Sequence, residues 1–308
     1  MKIVFLDTAT LGDDVDLSAF ETLGDVTYYR TTDPSDIPSR LADADVAVLN
    51  KIKLNESNLK DVKNLKLICV CATGTDNIDS KYCEKRGIAV KNVAGYSTDS
   101  VAALTVATVL QLAVHMDEYT RFVRDGSYSL GSVANRLSPP YHDLFGKTWG
   151  IVGYGNIGRR IGGIAKAFGC RLIVNKRTPV DDAECVDIDT LCRESDVITL
   201  NCPLTDATRN LINAERIAMM KKDVLIVNAA RGGVWDEKAV AEAVANGRIG
   251  GVGCDVYTSE PFGKDHPFYA IRKSANVCLT PHMAWGSVEA RKILMEKVYG
   301  NIKTFFEG

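Results

Sequence analysis

A chain of 308 residues is long enough for two compact domains, each with its own apolar interior. Hydrophobic residues make up 46% and charged residues 25% of it, as in an ordinary soluble protein, and 37 basic against 39 acidic residues leave a formal net charge of −2, which argues against nucleic-acid binding. The first residues contain too short an apolar run for a signal peptide, and the longest apolar stretch, Val101 to Val114, is too short to span a bilayer. We therefore expect a cytoplasmic protein.

The cysteines and histidines argue against disulfide or metal chemistry. The nine cysteines are an odd number, form no C-x-x-C pair and fall mostly within apolar runs, so we expect them to be reduced and buried. The four histidines show neither an H-x-x-H nor an H-E-x-x-H spacing, and no metal site is predicted.

The first hundred residues alternate short β-branched runs with helical patterns, which predicts a parallel sheet built from βα units. The predicted strands are Lys2–Leu6, Val46–Leu49, Lys66–Cys71 and Ala89–Val90, with helices around Ile37–Leu41 and Ile78–Arg86. A capping cluster at Ser97-Thr98-Asp99 then opens a long apolar helix, Ser100 to about Met116, which marks a change of domain.

A second βα series follows an irregular arm, Gly126–Lys147, which contains Pro139-Pro140. Its six predicted strands are typical of a doubly wound nucleotide-binding domain. The strands are Thr148–Val152, Arg171–Asn175, Val197–Asn201, Val224–Asn228, Gly250–Asp255 and Val277–Thr280, with helical patterns at Ile157–Phe168, Ala214–Met220 and Glu237–Asn246. A last helix is predicted from Val288 to about Phe306.

A glycine-rich loop lies between the first strand and the first helix of this second series. Its sequence is Gly153-Tyr154-Gly155-Asn156-Ile157-Gly158. Gly153 permits a tight turn, Gly155 lets the backbone approach a pyrophosphate, and Gly158 allows the helix to pack closely. The loop therefore predicts a dinucleotide site, with the helix start at Asn156 and Ile157 supplying N–H groups for the anion.

The turn after the second strand of the series bears on which nicotinamide cofactor is bound. An acidic residue here would hold the ribose 2′-hydroxyl of NAD, but the run is Lys176-Arg177-Thr178, whose cations and hydroxyl suit the 2′-phosphate of NADP. NADP is favoured. Two alternatives remain: a solvated basic turn, and NAD binding through Asp181 or Asp182 on a bent loop.

Three segments that each follow a predicted strand carry Arg231, Glu260 and His282. The segments are Asn228–Gly232, Asp255–Pro261 and Thr280–Trp285. They fall at the carboxyl edge of the sheet, where open α/β folds bind ligands. Reduction of a 2-keto acid needs a cation for the carboxylate, a proton donor at the carbonyl oxygen, and a carboxylate that orients the donor, and these three residues meet those needs.

The whole pattern resembles the D-isomer-specific 2-hydroxyacid dehydrogenase family. The resemblance covers nearly the full length and rests on Ala72–Asp79, Gly146-Lys147-Thr148, Pro203-Leu204-Thr205, the glycine loop and the three segments above. It implies an NAD(P)-dependent dehydrogenase with an Arg–Glu–His catalytic triad in this chain order. It further implies that backbone amides at Thr73 and Gly74 bind the substrate carboxylate, that Asp255 meets the nicotinamide amide, and that Thr98, Pro203 and Ala229 line the cofactor.

We accordingly predict an α/β protein with two Rossmann-like domains, each a doubly wound parallel sheet. The dinucleotide-binding domain, residues 98–284, is inserted in a flavodoxin-like substrate-binding (catalytic) domain formed by residues 1–97 and 285–308. The active site is expected in the cleft between them, with hinges near Asn92–Ser97 and Pro281–Ser287.

Two short segments point to a branch of the family. Pro281–Trp285 and Asn50-Lys51 resemble the glycerate dehydrogenase and hydroxypyruvate reductase members, which implies hydroxypyruvate or glyoxylate as the acid reduced, to D-glycerate or glycolate. Lys51 and Trp285 are therefore candidates for substrate binding. Trp285 is equally compatible with simple packing between the domains.

Other functions remain open. One branch of the family is a dinucleotide-sensing transcriptional corepressor that keeps the same triad, although the short termini here favour an enzyme. A sister dehydrogenase acting on another small acid, such as phosphite or formate, is a second alternative. The resemblance also implies a homodimer that uses the Ser100–Met116 helix and the Gly126–Lys147 arm. No second catalytic role is expected for His266.

Overall fold

The computed structural model describes residues 1–307, and these form two compact units. One unit comprises Met1–Ser97 and the segment from Gly286 onwards, and the other comprises Thr98–Trp285. Trp285, which the sequence placed at the start of the returning segment of the first domain, belongs to the second unit.

The first unit contains a five-stranded sheet in which every neighbouring pair is parallel, in the order β2-β1-β3-β4-β5. This is the strand order of flavodoxin-like folds. Its strands are β1 (Lys2–Phe5), β2 (Asp25–Tyr28), β3 (Val46–Leu49), β4 (Leu67–Val70) and β5 (Ala89–Lys91). The sequence did not predict β2, because this edge strand has only four residues and none of them is fully buried.

The second unit contains a seven-stranded parallel sheet in the order β12-β11-β10-β9-β6-β7-β8, the Rossmann order with one further strand. The strands are β6 (Thr148–Val152), β7 (Arg171–Asn175), β8 (Glu184–Cys185), β9 (Val197–Leu200), β10 (Leu225–Asn228), β11 (Gly251–Cys254) and β12 (Val277–Leu279). The prediction of six strands was one short, since β8 is a two-residue edge strand with no hydrophobic run.

Twelve α-helices accompany the sheets in the described residues. They are α1 (Ile37–Arg40), α2 (Glu56–Leu59), α3 (Ser80–Lys85), α4 (Thr98–Ala113), α5 (Met116–Arg124), α6 (Ser127–Leu130), α7 (Asn156–Ala167), α8 (Ile188–Glu194), α9 (Ala214–Met219), α10 (Glu237–Ala245), α11 (Pro267–Ile271) and α12 (Val288–Glu307). The long apolar helix ends earlier than predicted, because His115 turns the chain with a φ of +52° before α5 begins. Within the arm, α6 is one turn of helix and residues 131–147 form no regular element.

The central strands are buried on both faces, as expected of parallel sheets covered by helices. Every residue of β3, β4, β6 and β9 is buried. Trp149 on β6 and Trp235 after β10 are the largest fully buried side chains. All nine cysteines are free thiols, and seven of them are buried.

In the second sheet, the register aligns the carboxyl ends of neighbouring strands. Val152 lies opposite both Asn175 and Leu200, Leu200 opposite Asn228, and Asn228 opposite Cys254. The segments that follow β6, β9, β10 and β11 therefore begin along one edge. This edge positions the candidate site.

We find no single helix among residues 1–307 that is long and apolar enough to cross a membrane. By length and composition alone, the pair formed by α4 and α5 passes the same test, with a bend of 67° between the two helices.

Candidate active site

The glycine loop joins β6 to α7 with the geometry that the sequence predicts for a dinucleotide site. Gly153 has a φ of +89°, and a Cβ there would lie 2.6 Å from the amide nitrogen of Cys202. A Cβ at Gly158 would lie 2.3 Å from the carbonyl oxygen of Gly153, so both positions exclude a side chain. A Cβ at Gly155 would meet nothing within 4 Å, which leaves open space beside the loop. Asn156 and Ile157 form the first turn of α7, whose N–H groups suit an anion.

An unpartnered acceptor lies beside this loop. The side-chain Oδ1 of Asn201, directly after β9, is buried without a hydrogen-bond partner, whereas its Nδ2 donates to the carbonyl of Thr199 at 3.1 Å. Buried polar atoms are nearly always satisfied, so an orphan here fits a site that accepts a polar ligand. Together with the open space at Gly155, it is consistent with a bound dinucleotide.

The basic turn follows β7. Lys176 is half-buried, and Arg177 and Thr178 are exposed. Asp182, one of the two acids that could have served NAD, is ion-paired with Arg159 of α7, and its backbone carbonyl accepts from Lys166 Nζ at 2.9 Å. Its carboxylate is therefore engaged with α7, so that of the two acids Asp181 is the one left as an alternative to the basic residues.

Three residues expected to line the cofactor sit at element ends of the second unit. Thr98 begins α4, Pro203 follows β9, and Ala229 follows β10. The carbonyl of Pro203 accepts from Thr208 Oγ1 at 2.6 Å, which closes the loop after β9. Pro203 and Ala229 thus lie at the edge that carries the glycine loop.

Arg231 is carried by a turn that the buried side chain of Asn228 builds. Asn228 Oδ1 accepts from the Ala230 N–H at 3.0 Å, and its Nδ2 donates to the Arg231 carbonyl at 2.9 Å. Gly232 then packs so closely that a Cβ would lie 2.2 Å from the carbonyl carbon of Tyr257. The backbone beside Arg231 therefore rests directly on the segment that leads to Glu260.

Glu260 and His282 form a direct contact. Glu260 Oε2 lies 2.6 Å from His282 Nδ1, and both side chains are partly exposed. The second carboxylate oxygen, Oε1, accepts from the backbone N–H of Tyr257 at 2.9 Å. Since the carboxylate faces Nδ1, that nitrogen carries a hydrogen and Nε2 is the ring nitrogen left to exchange a proton with a substrate.

Asp255 holds the loop that carries His282, a role that sequence reasoning missed. Its buried carboxylate accepts from Thr280 Oγ1 at 2.6 Å and from the backbone N–H groups of Met283 and Ala284, both at 2.9 Å. The indole N–H of Trp285 donates to the His282 carbonyl at 3.0 Å. These bonds fix the backbone on both sides of the histidine. Only the structure pairs Asp255 with this loop, because its partners are 25 to 29 residues away in the chain.

In the first unit, a buried carboxylate fixes the loop of Lys51. Asp7, at the end of β1, accepts from the backbone N–H groups of Asn50, Lys51 and Ile52 at 2.9, 2.7 and 3.3 Å. Burial raises the pKa of Asp7, and these hydrogen bonds oppose that rise. Nothing in the sequence around Asp7 signals this role.

The loop of Thr73 and Gly74 is tied to neighbouring segments of the same unit. Thr73 Oγ1 donates to the Val93 carbonyl at 3.1 Å, and Asn77 Nδ2 donates to the Ile52 carbonyl at 2.7 Å. The structure thus joins the Thr73–Gly74 loop to the Lys51 loop, two of the segments that the resemblance connects with substrate.

Comparison with known proteins agrees with this geometry. The sequence model described as "D-isomer specific 2-hydroxyacid dehydrogenase, NAD binding domain" matches residues 106–284. Glycerate dehydrogenase of Methylorubrum extorquens is 36% identical over the whole chain and 96% of its own length. Hydroxypyruvate reductase of Blautia hydrogenotrophica is 34% identical over the whole chain and 98% of its own length.

Among solved structures, the chain is similar to D-lactate dehydrogenase from Aquifex aeolicus, crystallised with NAD and lactic acid. The TM-score is 0.86 at 28% identity, covering 99% of this chain and 96% of that one. The two-sheet α/β fold predicted from the sequence is confirmed. By family model, full-length relatives and fold together, the chain is a dehydrogenase that belongs to the D-isomer-specific 2-hydroxyacid dehydrogenase family.

Proposed function

We propose that this dehydrogenase reduces hydroxypyruvate or glyoxylate to D-glycerate or glycolate, with NADPH preferred over NADH. The observation that carries the proposal is the 2.6 Å contact between Glu260 and His282, on loops of one sheet edge that also carries Arg231. The names of the full-length relatives, glycerate dehydrogenase and hydroxypyruvate reductase, support this substrate class.

In this proposal the three side chains divide the chemistry of carbonyl reduction. The guanidinium of Arg231 binds the substrate carboxylate and polarises the carbonyl oxygen. His282 donates the proton on Nε2 to that oxygen, while Glu260 holds Nδ1 and stabilises the charged ring. A bound reduced nicotinamide supplies the hydride that adds to the carbonyl carbon. The overall balance is one hydride and one proton gained by the 2-keto acid.

Four further residues are assigned to substrate binding. The backbone amides of Thr73 and Gly74 bind the carboxylate, and Lys51 adds a positive charge for the acid. Trp285 limits the size of the side chain that the site accepts. The bond from its indole to the His282 carbonyl supports this placement, because it keeps the ring next to the proton donor.

The cofactor is held by the edge of the second sheet. The residues that would hold the pyrophosphate are Gly153, Gly155, Asn156, Ile157 and Gly158, and those that would bind the 2′-phosphate of NADP are Lys176, Arg177 and Thr178. Thr98, Pro203, Ala229 and Asp255 line the nicotinamide half. The pairing of Asp182 with Arg159 supports NADP over NAD, because it occupies a competing acid.

The test follows the absorbance of reduced nicotinamide on the purified protein. Absorbance is lost when hydroxypyruvate, glyoxylate or pyruvate is reduced with NADPH or NADH, and it is gained when phosphite is oxidised with NADP+ or NAD+. Faster oxidation of NADPH with hydroxypyruvate or glyoxylate than with pyruvate is expected. A larger kcat/KM for another acid would replace the substrate assignment. Tight cofactor binding without turnover on any acid would favour a dinucleotide-sensing role.

We also assign a homodimer to the protein. Several large apolar side chains of the arm are exposed, namely Tyr128, Leu130, Val133, Leu137, Tyr141 and Phe145. A group of this size on one segment is typical of a surface that a partner covers.

A further inference from the structure

A buried ionisable pair lies outside the three proposed catalytic side chains. Glu237, the first residue of α10, and His266, which precedes α11, have side chains only 7% and 6% exposed. Glu237 Oε2 and His266 Nε2 are 3.0 Å apart. Burial of a carboxylate costs free energy unless the group is well hydrogen-bonded. The hydrogen bonds that satisfy Glu237 therefore indicate what the pair does.

The bonds around the pair define which ring nitrogen of His266 carries a hydrogen. His266 Nδ1 accepts from the backbone N–H of Phe268 at 3.2 Å, so the ring hydrogen is on Nε2 and is donated to Glu237. The other two donors to the carboxylate come from one residue, Thr258, whose backbone N–H lies 2.9 Å from Oε1 and whose hydroxyl donates to Oε2. The carboxylate of Glu237 therefore binds Thr258 through both of its oxygens.

Thr258 lies in the segment on which the three catalytic loops meet. The preceding residue, Tyr257, donates its backbone N–H to Glu260 and its hydroxyl to the carbonyl of Thr280 at 2.8 Å, two residues before His282. Gly232, next to Arg231, packs against the carbonyl carbon of Tyr257 and the nitrogen of Thr258. We call the dipeptide Tyr257–Thr258 the hub. The hub therefore has a direct contact with each of the three loops.

We propose that Glu237 and His266 are positioning residues, whose hydrogen bonds to Thr258 fix the hub and so hold Glu260 against His282 and the Arg231 turn beside them. This inference rests on the proposed function for its catalytic consequence. Its structural consequence, the geometry of the Glu260–His282 contact, does not depend on which acid is reduced. A displacement of a fraction of an ångström in such a contact is enough to slow proton transfer.

The matched pair Thr258→Val and Thr258→Ser tests the role of the hydroxyl. Valine keeps the shape of threonine but cannot donate to Glu237, whereas serine can. We expect kcat to fall about fivefold to tenfold in Thr258→Val, with KM and the Kd of the cofactor unchanged, and to stay near the wild-type value in Thr258→Ser. Glu237→Gln has one acceptor oxygen in place of two, so it loses either the bond from the Thr258 N–H or the bonds at Oε2, and it should give a loss at least as large.

A spectroscopic measurement separates positioning from stability. We expect the hydrogen on His282 Nδ1, which faces Glu260, to give a low-field proton NMR signal, identified by its absence in His282→Asn. We expect this signal to shift or broaden in Thr258→Val and Glu237→Gln but not in Thr258→Ser. A structural role alone would lower Tm and leave both the signal and kcat at 25 °C unchanged, and that result overturns the inference.

Failure of the proposed function can be distinguished from failure of the positioning role. If the wild-type protein oxidises no nicotinamide with any acid, the proposed function fails, while the NMR signal still decides whether Glu237 and His266 position His282. If the wild type is active and Thr258→Val and Glu237→Gln match it in kcat and in the signal, only the positioning role fails.

Discussion

The backbone at His282 has a φ of +52°, a left-handed conformation that residues with a Cβ rarely adopt. Such a conformation costs about 1–3 kcal/mol and persists only where the surrounding structure imposes it. Here the carboxylate of Asp255 binds the next two N–H groups of the chain, and Trp285 binds the His282 carbonyl. The strain therefore lies at the residue proposed as proton donor, where it fixes the direction of the imidazole.

Replacement of His282 tests the proton donor directly. In His282→Asn we expect kcat to fall about a thousandfold, within the range by which general acids accelerate reactions, with an unchanged Kd for the cofactor. Steady-state kinetics and fluorescence titration measure the two quantities. His142→Asn, a change of an exposed histidine in the arm, is the control and should keep wild-type kcat. Wild-type turnover by His282→Asn would remove this assignment.

In our proposal, cofactor preference is set by the two cations that directly follow β7, of which Lys176 takes the position of the acid in NAD-linked domains. Lys176→Asp places a carboxylate where NAD-linked Rossmann domains hold the ribose hydroxyls, so kcat/KM for NADPH should fall roughly a hundredfold while that for NADH rises. Lys222→Asp, at an exposed lysine elsewhere in the unit, controls for the change of charge. A wild-type protein that uses NADH at least as well as NADPH would contradict the role of Lys176.

At the scale of elements, the two units repeat one device at the amino edge of their sheets. Asp45, before β3, accepts from the Lys2 N–H at 2.9 Å and from Lys66 Nζ at 3.0 Å. Asp196, before β9, accepts from the Thr148 N–H at 2.8 Å and from Lys221 Nζ at 2.9 Å. In each unit, an aspartate before β3 or β9 thus accepts from the first residue of the unit's first strand, β1 or β6. The same aspartate pairs with a lysine that precedes the next strand along the chain, β4 or β10.

This device makes stability depend on pH. The Lys2 N–H, and then Lys66, lower the pKa of Asp45 below its usual 3.8, so its ionised form stabilises the folded state above that pH. We expect Asp45→Asn to lower the free energy of unfolding by about 1–2 kcal/mol at pH 7. The difference from wild type should shrink as the pH falls below about 4, through the folded pKa, because the wild-type carboxylate then protonates.

Urea denaturation at pH 7 and at pH 3 measures both differences. Asp43→Asn is the matched control, because Asp43 is an exposed acid 3.5 Å from the ammonium of the same Lys2. Exposed pairs contribute little, so this variant should stay near wild type. An equal loss at both pH values in Asp45→Asn would show that ionisation of Asp45 is not the cause.

The sequence predicted elements well where a hydrophobic run or a glycine motif is local. The strands from β3 to β12, apart from β8, and the glycine loop were placed within about two residues, because buried parallel strands read as continuous apolar runs. The edge strands β2 and β8 were missed, since neither has such a run. The turn at His115 was also missed, because a positive φ at a non-glycine residue leaves no pattern in the sequence.

Residues of the candidate site also differ in whether the sequence alone could predict their roles. Arg231, Glu260 and His282 could be proposed because each follows a strand at the edge where ligands bind. Asp7, Glu237 and the loop role of Asp255 could not, because their partners lie from 21 to 45 residues away and only folding brings them together. Acidic side chains that hold backbone N–H groups of distant loops look like ordinary charges in the sequence.

On the scale of the whole molecule, the chain passes between its units twice, at Ser97/Thr98 and at Trp285/Gly286. Within the second unit both crossing points are tied to the same loop. Ser100, in the first turn of α4, donates to the Ala284 carbonyl at 2.5 Å, and Trp285 donates to the His282 carbonyl. Both ends of the second unit are therefore bonded to the loop that carries the proposed proton donor.

Assembly is the last property that belongs to this scale. Leu130 and Leu137 in the arm are 90% and 75% exposed, which is uncommon for side chains of this size on a monomer. We expect light scattering to give twice the chain mass of 33.5 kDa, and we expect Leu130→Glu/Leu137→Glu to give the monomer, because a buried unpaired charge opposes association. Val288→Glu together with Ile293→Glu, at exposed apolar positions of α12, adds the same charge outside the arm and should leave the dimer intact. A wild-type monomer at micromolar concentration would refute the dimer, and a dimer that survives the arm variant would place the interface elsewhere on the molecule.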